Sequence, residues 1–299
     1  MDLDDRAVPV APAPIVFEII RENTEPTSPA EAFTPTPGVT AMTMLYSLYT
    51  AEGIVFAADS QITAQGEARP RQSQTKVLRV PRLGAATEGG VIGFFGLAEV
   101  GRQTMTDWLR QVIAEPRRPA DPYQFGEYLV GRLLHDASPV QLQYPSGFHI
   151  GAFAREDGLM LPVFRYASNI HGQNPDGSYT NIGAYSFDHQ DHLARDFQAI
   201  PRPTLRKALR QRQNNFGFPH WYRNGDLGHF ALLTNVVEAV IGHLVRADAY
   251  FESPDTLKGW EVLGRSLVVT VSQLHRAYHT EGPASIGGRP VALGVKWPV

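Results

Sequence analysis

Three residues in the N-terminal third carry side chains that chemistry could use together: Thr43, Asp59 and Lys76. A threonine hydroxyl is a poor nucleophile and needs a base. A free α-amine has a pKa of about 7.7–8.0, and on an N-terminal threonine it sits beside the hydroxyl. Thr43 would then be nucleophile and base at once, on condition that it is the first residue of the mature chain. A nearby ammonium disfavours protonation of that amine and lowers its pKa. Lys76 is the candidate for that charge, and Asp59 would hold it in place and offset part of it. Only four of the 27 basic residues are lysine (Lys76, Lys207, Lys258 and Lys296), so lysine is not this chain's generic surface charge. Each residue also has a plain structural reading. Threonine is common in alternating strands, an aspartate can end a strand, and a lysine can be a solvated strand residue.

The elements around these residues decide whether they can meet. TMLYSLYT, ending at Thr50, alternates and is β-rich, which predicts a strand. Ala51-Glu52-Gly53 reads as a tight turn, and IVFAAD as a short buried strand. Lys76 to Val80 alternates again, and Gly90 to Gly96 gives a fourth strand. The spacing of Met105, Trp108, Leu109, Val112 and Ile113 predicts a helix from Ala98 to Glu115, stopped by Pro116. A second helix is predicted from Asp121 to Asp136, with Phe125, Tyr128, Leu129 and Leu133 facing inward. Strands follow at Phe148–Arg155, Leu159–Tyr166 and about Tyr179–Phe187. Apolar stripes from Leu233 to Val245 and from Trp260 to Leu274 predict further helices, before a last strand over Pro290–Trp297. Runs of strands separated from runs of helices indicate packed layers, here two sheets between two helical layers. Residues 1–42 hold seven prolines and a Ser/Thr/Pro/Glu-rich stretch, and read as a leader, propeptide or disordered segment before a domain spanning 43–299.

The register Thr43 … Gly53-Ile54-Val55-Phe56-Ala57-Ala58-Asp59-Ser60 … Thr63 … Gly66 … Lys76 resembles the start of catalytic proteasome β-subunits and of their bacterial HslV and Anbu relatives. The sixteen residues from Thr43 to Asp59 match the family spacing, and Asp59 to Lys76 is one residue longer. The resemblance is good over about Thr43 to Ile113. It implies an α+β, four-layer αββα N-terminal-nucleophile (Ntn) hydrolase sandwich and a threonine endopeptidase. It implies that Gly96 supplies the backbone N–H of the oxyanion site. It places Phe94 where the family shapes its main specificity pocket, which a Phe would make shallow. Thr63 and Ala98 match positions whose backbones hold the substrate as an added strand. The family suggests a homo-oligomeric ring and a peptide or unfolded-protein substrate, with no cofactor.

The sequence departs from the family in several places. Met42 precedes Thr43, where proteasome β-precursors generally have Gly. Either Met42 is the initiator and its removal exposes Thr43, or Thr43 stays internal in a non-catalytic ring subunit or scaffold. A third reading is an Ntn amidase acting on a small amide. Ser285, in TEGPASIGGRP, is the candidate match to the family's supporting serine, but no Asp stands beside it. The family's Gly-Ser-Gly segment is replaced by GAYSFDHQ, and an insertion follows near 188–228.

Composition excludes other classes. The formal charge of −3 offers no polycationic face for nucleic acid. The absence of cysteine removes disulfides, thiolate metal sites and a Cys nucleophile. No apolar run approaches the roughly 20 residues that span a bilayer, and the N-terminus is acidic where a signal peptide is basic. The expectation is a cytoplasmic protein with no membrane partner. The His spacing of DHQDH (Asp188 to His192) can serve a metal, but a polar helix start explains it better, so no metal site is assigned. There is no GxSxG elbow, P-loop or HExxH.

Overall fold

The computed structural model describes residues 44–50, 52–62, 72–156, 159–173, 179–189, 220–225, 254–278 and 286–298. Residues 1–43, the stripe from Leu233 to Val245 and most of the 188–228 segment lie outside the described residues.

In chain order the described strands open with β1 (Met44–Thr50) and β2 (Gly53–Ala58). A short ribbon of β3 (Gln61–Ile62) and β4 (Gln72–Ser73) leads into β5 (Val77–Val80) and β6 (Gly90–Phe95). A second ribbon, β7 (Glu99–Val100) with β8 (Gln103–Thr104), runs into helices α1 (Met105–Ala114) and α2 (Pro122–Asp136). Three long strands follow, β9 (Gly147–Glu156), β10 (Leu159–Gln173) and β11 (Tyr179–His189). Then come β12 (His220–Gly225), helix α3 (Leu257–Tyr278) and β13 (Val291–Lys296).

Two antiparallel sheets organise these elements. The first has the order β12-β1-β2-β13 and the second β11-β10-β9-β6-β5. In β1 every residue is buried, because both faces are covered. Met44, Tyr46 and Leu48 pack with Trp260, Leu267, Val268 and Val271 of α3. Leu45 and Tyr49 point the other way, into an apolar layer with Phe56, Val77, Val91, Phe95, Phe153 and Phe164 that joins the two sheets. A third apolar cluster unites the far face of the second sheet with α1 and α2, through Ile92, Phe94, Ile150, Leu109, Val112, Phe125, Leu129 and Leu133. Gly264 lets α3 lie close on β2: a Cβ there would sit 3.0 Å from that of Ala57.

Local chemistry sets the element ends. Thr50 closes the β1–β2 turn, its hydroxyl donating to the Gly53 carbonyl (2.9 Å) and accepting from the Glu52 and Gly53 N–H groups (3.1 Å each). Asp121 caps α2 by accepting from the N–H groups of Tyr123 and Gln124, with Pro122 in the first turn. The helix predicted from Ala98 starts instead at Met105. The intervening residues form the β7–β8 ribbon around Gly101, whose φ of +60° breaks a helix, and Thr104 caps α1 by accepting from the Asp107 N–H. Asp188 and His189, read as a helix start, close β11 as strand residues. Their partners Asp191 and His192 lie outside the described residues. Strand β12 comes from the segment read as an insertion and pairs along β1 from Met44↔Gly225 to Tyr49↔His220.

One polar group interrupts the apolar layer between the sheets. His149 of β9 is fully buried. Its Nδ1 lies 2.7 Å from Ser47 Oγ of β1, and its Nε2 lies 2.5 Å from Asn224 Oδ1 of β12. The Asn224 amide in turn donates to the Tyr166 hydroxyl of β10 (3.2 Å). This network assigns the neutral Nε2–H tautomer, which donates to Asn224 while Nδ1 accepts from Ser47. Phe56, Phe95, Phe164 and Tyr166 surround the ring, with centroids 5.0–6.1 Å away. Burial in this aromatic box pulls the imidazole pKa down to about 3, against the opposing Asn224 bond. Among the described residues, no helix is long and apolar enough to cross a membrane.

Candidate active site

Asp59 leaves the end of β2 in the first sheet, and Lys76 precedes β5 in the second. Their side chains meet where the two sheets come together at one end. Lys76 Nζ lies 2.9 Å from Asp59 Oδ1, and both side chains are fully buried. The ammonium also donates to the Gln61 carbonyl at 2.6 Å. A solvated strand lysine, the plain reading of Lys76, is therefore corrected by its burial. The Asp59 carboxylate is surrounded by donors. Oδ1 accepts from the Met44 N–H (2.9 Å) as well as from Lys76, and Oδ2 accepts from the N–H groups of Gln61 (3.2 Å) and Gly287 (3.4 Å). Four donors on two oxygens suit the anion, which can accept all of them.

Burial shifts both members of the pair toward neutrality. It pulls the Lys76 ammonium below the ordinary lysine value, opposed by the Asp59 carboxylate. It pushes the Asp59 carboxyl up, opposed by the Lys76 charge and by the N–H groups of Met44 and Gly287. The pair is a short, dry charge contact held by backbone dipoles. Its setting is made by the segment just before β13. The Gly287 carbonyl accepts from the N–H groups of both Ser60 and Gln61 (3.1 Å each), while its own N–H reaches Asp59.

The other candidate positions line up from Lys76. The Lys76 carbonyl accepts from the Phe94 N–H (3.1 Å), so β5 and β6 are in register at this point. Gly96 lies two residues on, about 7 Å along the strand direction. Its φ of +80° is left-handed, and a Cβ there would lie 1.9 Å from the Pro145 carbonyl oxygen. Only glycine fits that turn without moving the backbone. The Phe94 side chain, 1% exposed, packs into the layer beneath α1 and α2. It fills space there and lines no open surface. Ala98 is half-buried, and its carbonyl already accepts from the Met105 N–H (2.8 Å) and from Gln74 Nε2 (3.1 Å). Both lone pairs are therefore taken, which leaves its N–H as the only group it can offer an added strand.

Asp59, Lys76, Phe94, Gly96 and Ala98 are thus neighbours around one end of the sandwich. Thr43, Thr63 and Ser285 lie outside the described residues. Among the described residues, no cluster of three or more His, Asp or Glu groups could hold a metal ion. Sequence reasoning misses the roles of Gln61, Gln74 and Gly287, because they act mostly through backbone atoms or through a bond to a backbone carbonyl. The only visible signal is the Gly287-Gly288 pair ahead of the last strand. No protein-family model matches the chain, and no curated protein matches it.

Proposed function

We propose that this chain is a threonine-type Ntn peptidase of the proteasome-like class, with a four-layer αββα Ntn sandwich and Thr43 as its nucleophile once the Thr43 amine is free. One observation carries the reading. The Asp59 carboxylate binds the Lys76 ammonium and, through the same oxygen, the Met44 N–H. That N–H belongs to the peptide bond between residues 43 and 44. The buried ion pair is therefore anchored to the next peptide unit of the residue whose amine and hydroxyl would react.

The chemistry follows from the groups. The Thr43 α-amine takes the hydroxyl proton as the oxygen attacks a peptide carbonyl. The alkoxide that develops on the carbonyl oxygen accepts from the Gly96 N–H; removing such a donor typically costs about 2.7–4 kcal/mol. The protonated amine then passes its proton to the leaving amine, and the ester left on Thr43 is hydrolysed by water. Lys76 keeps the amine unprotonated by repulsion, and Asp59 fixes Lys76. The substrate is a peptide or unfolded protein laid along the Ala98 N–H and Thr63, in a homo-oligomeric ring in the cytoplasm, with no cofactor.

Met42 favours a second reading, a non-catalytic ring subunit, because it stands where self-cleaving precursors carry Gly. Intact-mass analysis and N-terminal sequencing of the native protein separate the two. A chain beginning at Thr43, labelled there by a hydroxyl-directed covalent probe and unlabelled after Thr43→Ala, is the expected result. A native chain that retains residue 42 and takes no label overturns the enzyme reading. Turnover of small amides with no turnover of peptides would instead assign an amidase.

A further inference from the structure

We infer that Asn169 is a positioning residue for the Gly96 peptide, an inference that rests on Gly96 serving the oxyanion site proposed above. Asn169 lies in β10, fully buried, just past the last β9 pairing at Ser168↔Gly147. Both donors and the oxygen of its side-chain amide are engaged by one short segment. Oδ1 accepts from the Ser146 N–H (2.8 Å), and Nδ2 donates to the carbonyls of Tyr144 (2.8 Å) and Leu142 (3.1 Å). Its backbone N–H adds a bond to the Ser146 carbonyl (3.2 Å), which also accepts from the Ser168 hydroxyl (3.2 Å).

These bonds straddle Pro145. The amide grips the carbonyl before it and the N–H after it. The Pro145 carbonyl is the group pressed against Gly96, 1.9 Å from where a Cβ would sit, with Ser146 Cα at 2.7 Å from the same point. On its other side Gly96 is held by β6, whose last residue, Phe95, pairs with Gly147. The left-handed Gly96 is thus confined between a strand end and a loop, and Asn169 makes most of the side-chain bonds to that loop's backbone, beside those of the Ser168 hydroxyl to the Ser146 carbonyl and of the Ser146 hydroxyl to Tyr144 and Tyr185. Proline has no N–H to anchor itself. The segment therefore relies on its neighbours' bonds to Asn169, and a buried amide with both donors and its oxygen engaged holds its partners to one geometry.

Asn169 touches no reacting atom. Its effect on catalysis would pass through the aim of the Gly96 N–H, which matters to the transition state and little to ground-state binding. Two variants test this in the full chain. Asn169→Ala removes all three side-chain bonds. Asn169→Asp keeps the shape and the Ser146 bond but turns the two donors into an acceptor. Amide hydrogen exchange comes first, because it needs no activity. Exchange across residues 95–98 should accelerate at least tenfold in both variants, while exchange in α3 stays unchanged. In the form with an exposed Thr43, kcat should fall at least tenfold with KM within about twofold, and a peptide aldehyde should weaken in parallel with kcat/KM. Unchanged exchange at residues 95–98 overturns the inference, and so does a kcat loss that appears only with equal exchange increases in α3. If the unmutated protein shows no Thr43-dependent turnover, the enzyme reading fails, and the exchange result still decides whether Asn169 holds Gly96.

Discussion

His149 should make the protein acid-sensitive by an amount that follows from its surroundings. The folded imidazole has its pKa lowered to about 3, and an unfolded one has a pKa of about 6.5. Between those values the unfolded chain binds a proton that the folded protein refuses. Stability therefore rises with pH across this window and falls on acidification, fully present above about pH 6.5 and lost as pH drops toward 3. The limiting slope is about 1.4 kcal/mol per pH unit. From pH 6.5 to 4.5 the loss is about 2 kcal/mol, under two full units of the limiting slope because the unfolded imidazole is half titrated at the start. No solvent screening discounts this value, because the ring is wholly buried and the described residues that touch it are uncharged: Ser47, Asn224, Tyr166 and three phenylalanines. The assay is urea unfolding at half-unit pH steps, for the wild type and for His149→Gln, which keeps polar atoms but cannot titrate. Subtracting the two pH profiles removes the carboxylates and the other histidines. The difference should grow by about 2 kcal/mol over that interval. Parallel profiles, or an NMR titration showing the folded His149 ring ionising near 6.5, would refute the reasoning.

Other perturbations test the remaining geometry. Asp59→Ala takes the carboxylate from the Lys76 ammonium and leaves the Met44 and Gly287 N–H groups without this acceptor, so it should cost more than Lys76→Met; each should cost about 3–5 kcal/mol in denaturant unfolding, and a reversed order would contradict the donor assignment. Gly96→Ala combines a left-handed φ with a Cβ 1.9 Å from a carbonyl oxygen, so it should lose well over 1 kcal/mol of stability; a melting temperature within a degree of wild type counts against the turn. Thr104→Ala removes the α1 cap and should cost about 1 kcal/mol, with Thr104→Ser restoring most of it. Gly264→Val should pry α3 from β2 and expose the Trp260 layer, read as a red-shifted tryptophan emission that an undisturbed spectrum would exclude.

Several elements are legible from sequence because burial writes itself into the residues. Strands β1 and β2 are covered on both faces; GIVFAA reads as a continuous apolar run, and MLYSLYT as a β-rich alternating one. The Asp59–Lys76 pair is legible from the register it shares with Thr43, and because lysine is scarce in this chain. Helix α2 is legible from a capping Asp, a first-turn Pro and a clean apolar stripe. Where the signal is polar or made by the backbone, it fails. Strand β12 reads HWYRNG and owes its place to pairing with β1. Strand β10 runs seven residues past Tyr166 through Asn169, His171 and Gln173, held by its ladder with β11. Three of the four donors to Asp59, the N–H groups of Met44, Gln61 and Gly287, carry no side-chain signature at all. His149 looks like any polar residue in a strand until residues of β1, β2, β6, β10 and β12 close around it.

The path by which the first sheet closes has a kinetic consequence. Its central pair, β1 and β2, is local, but its edges are β12 and β13, which come much later in the chain. The Gly287 N–H reaches Asp59 across 228 residues. Bringing such distant segments together incurs loop-closure entropy before any contact compensates for it. During synthesis, the second sheet's strands and the two helices on it are all available before β12, α3 or β13 exists. The apolar face of β1 and β2 that α3 covers must therefore wait uncovered, a stage exposed to aggregation or chaperone capture. The carboxylate next to the 43–44 peptide acquires its last donor only at the end of that sequence. The donor set of that carboxylate is thus incomplete until the segment before β13 has been made, so a chain not yet synthesised to Gly287 does not hold the assembled site.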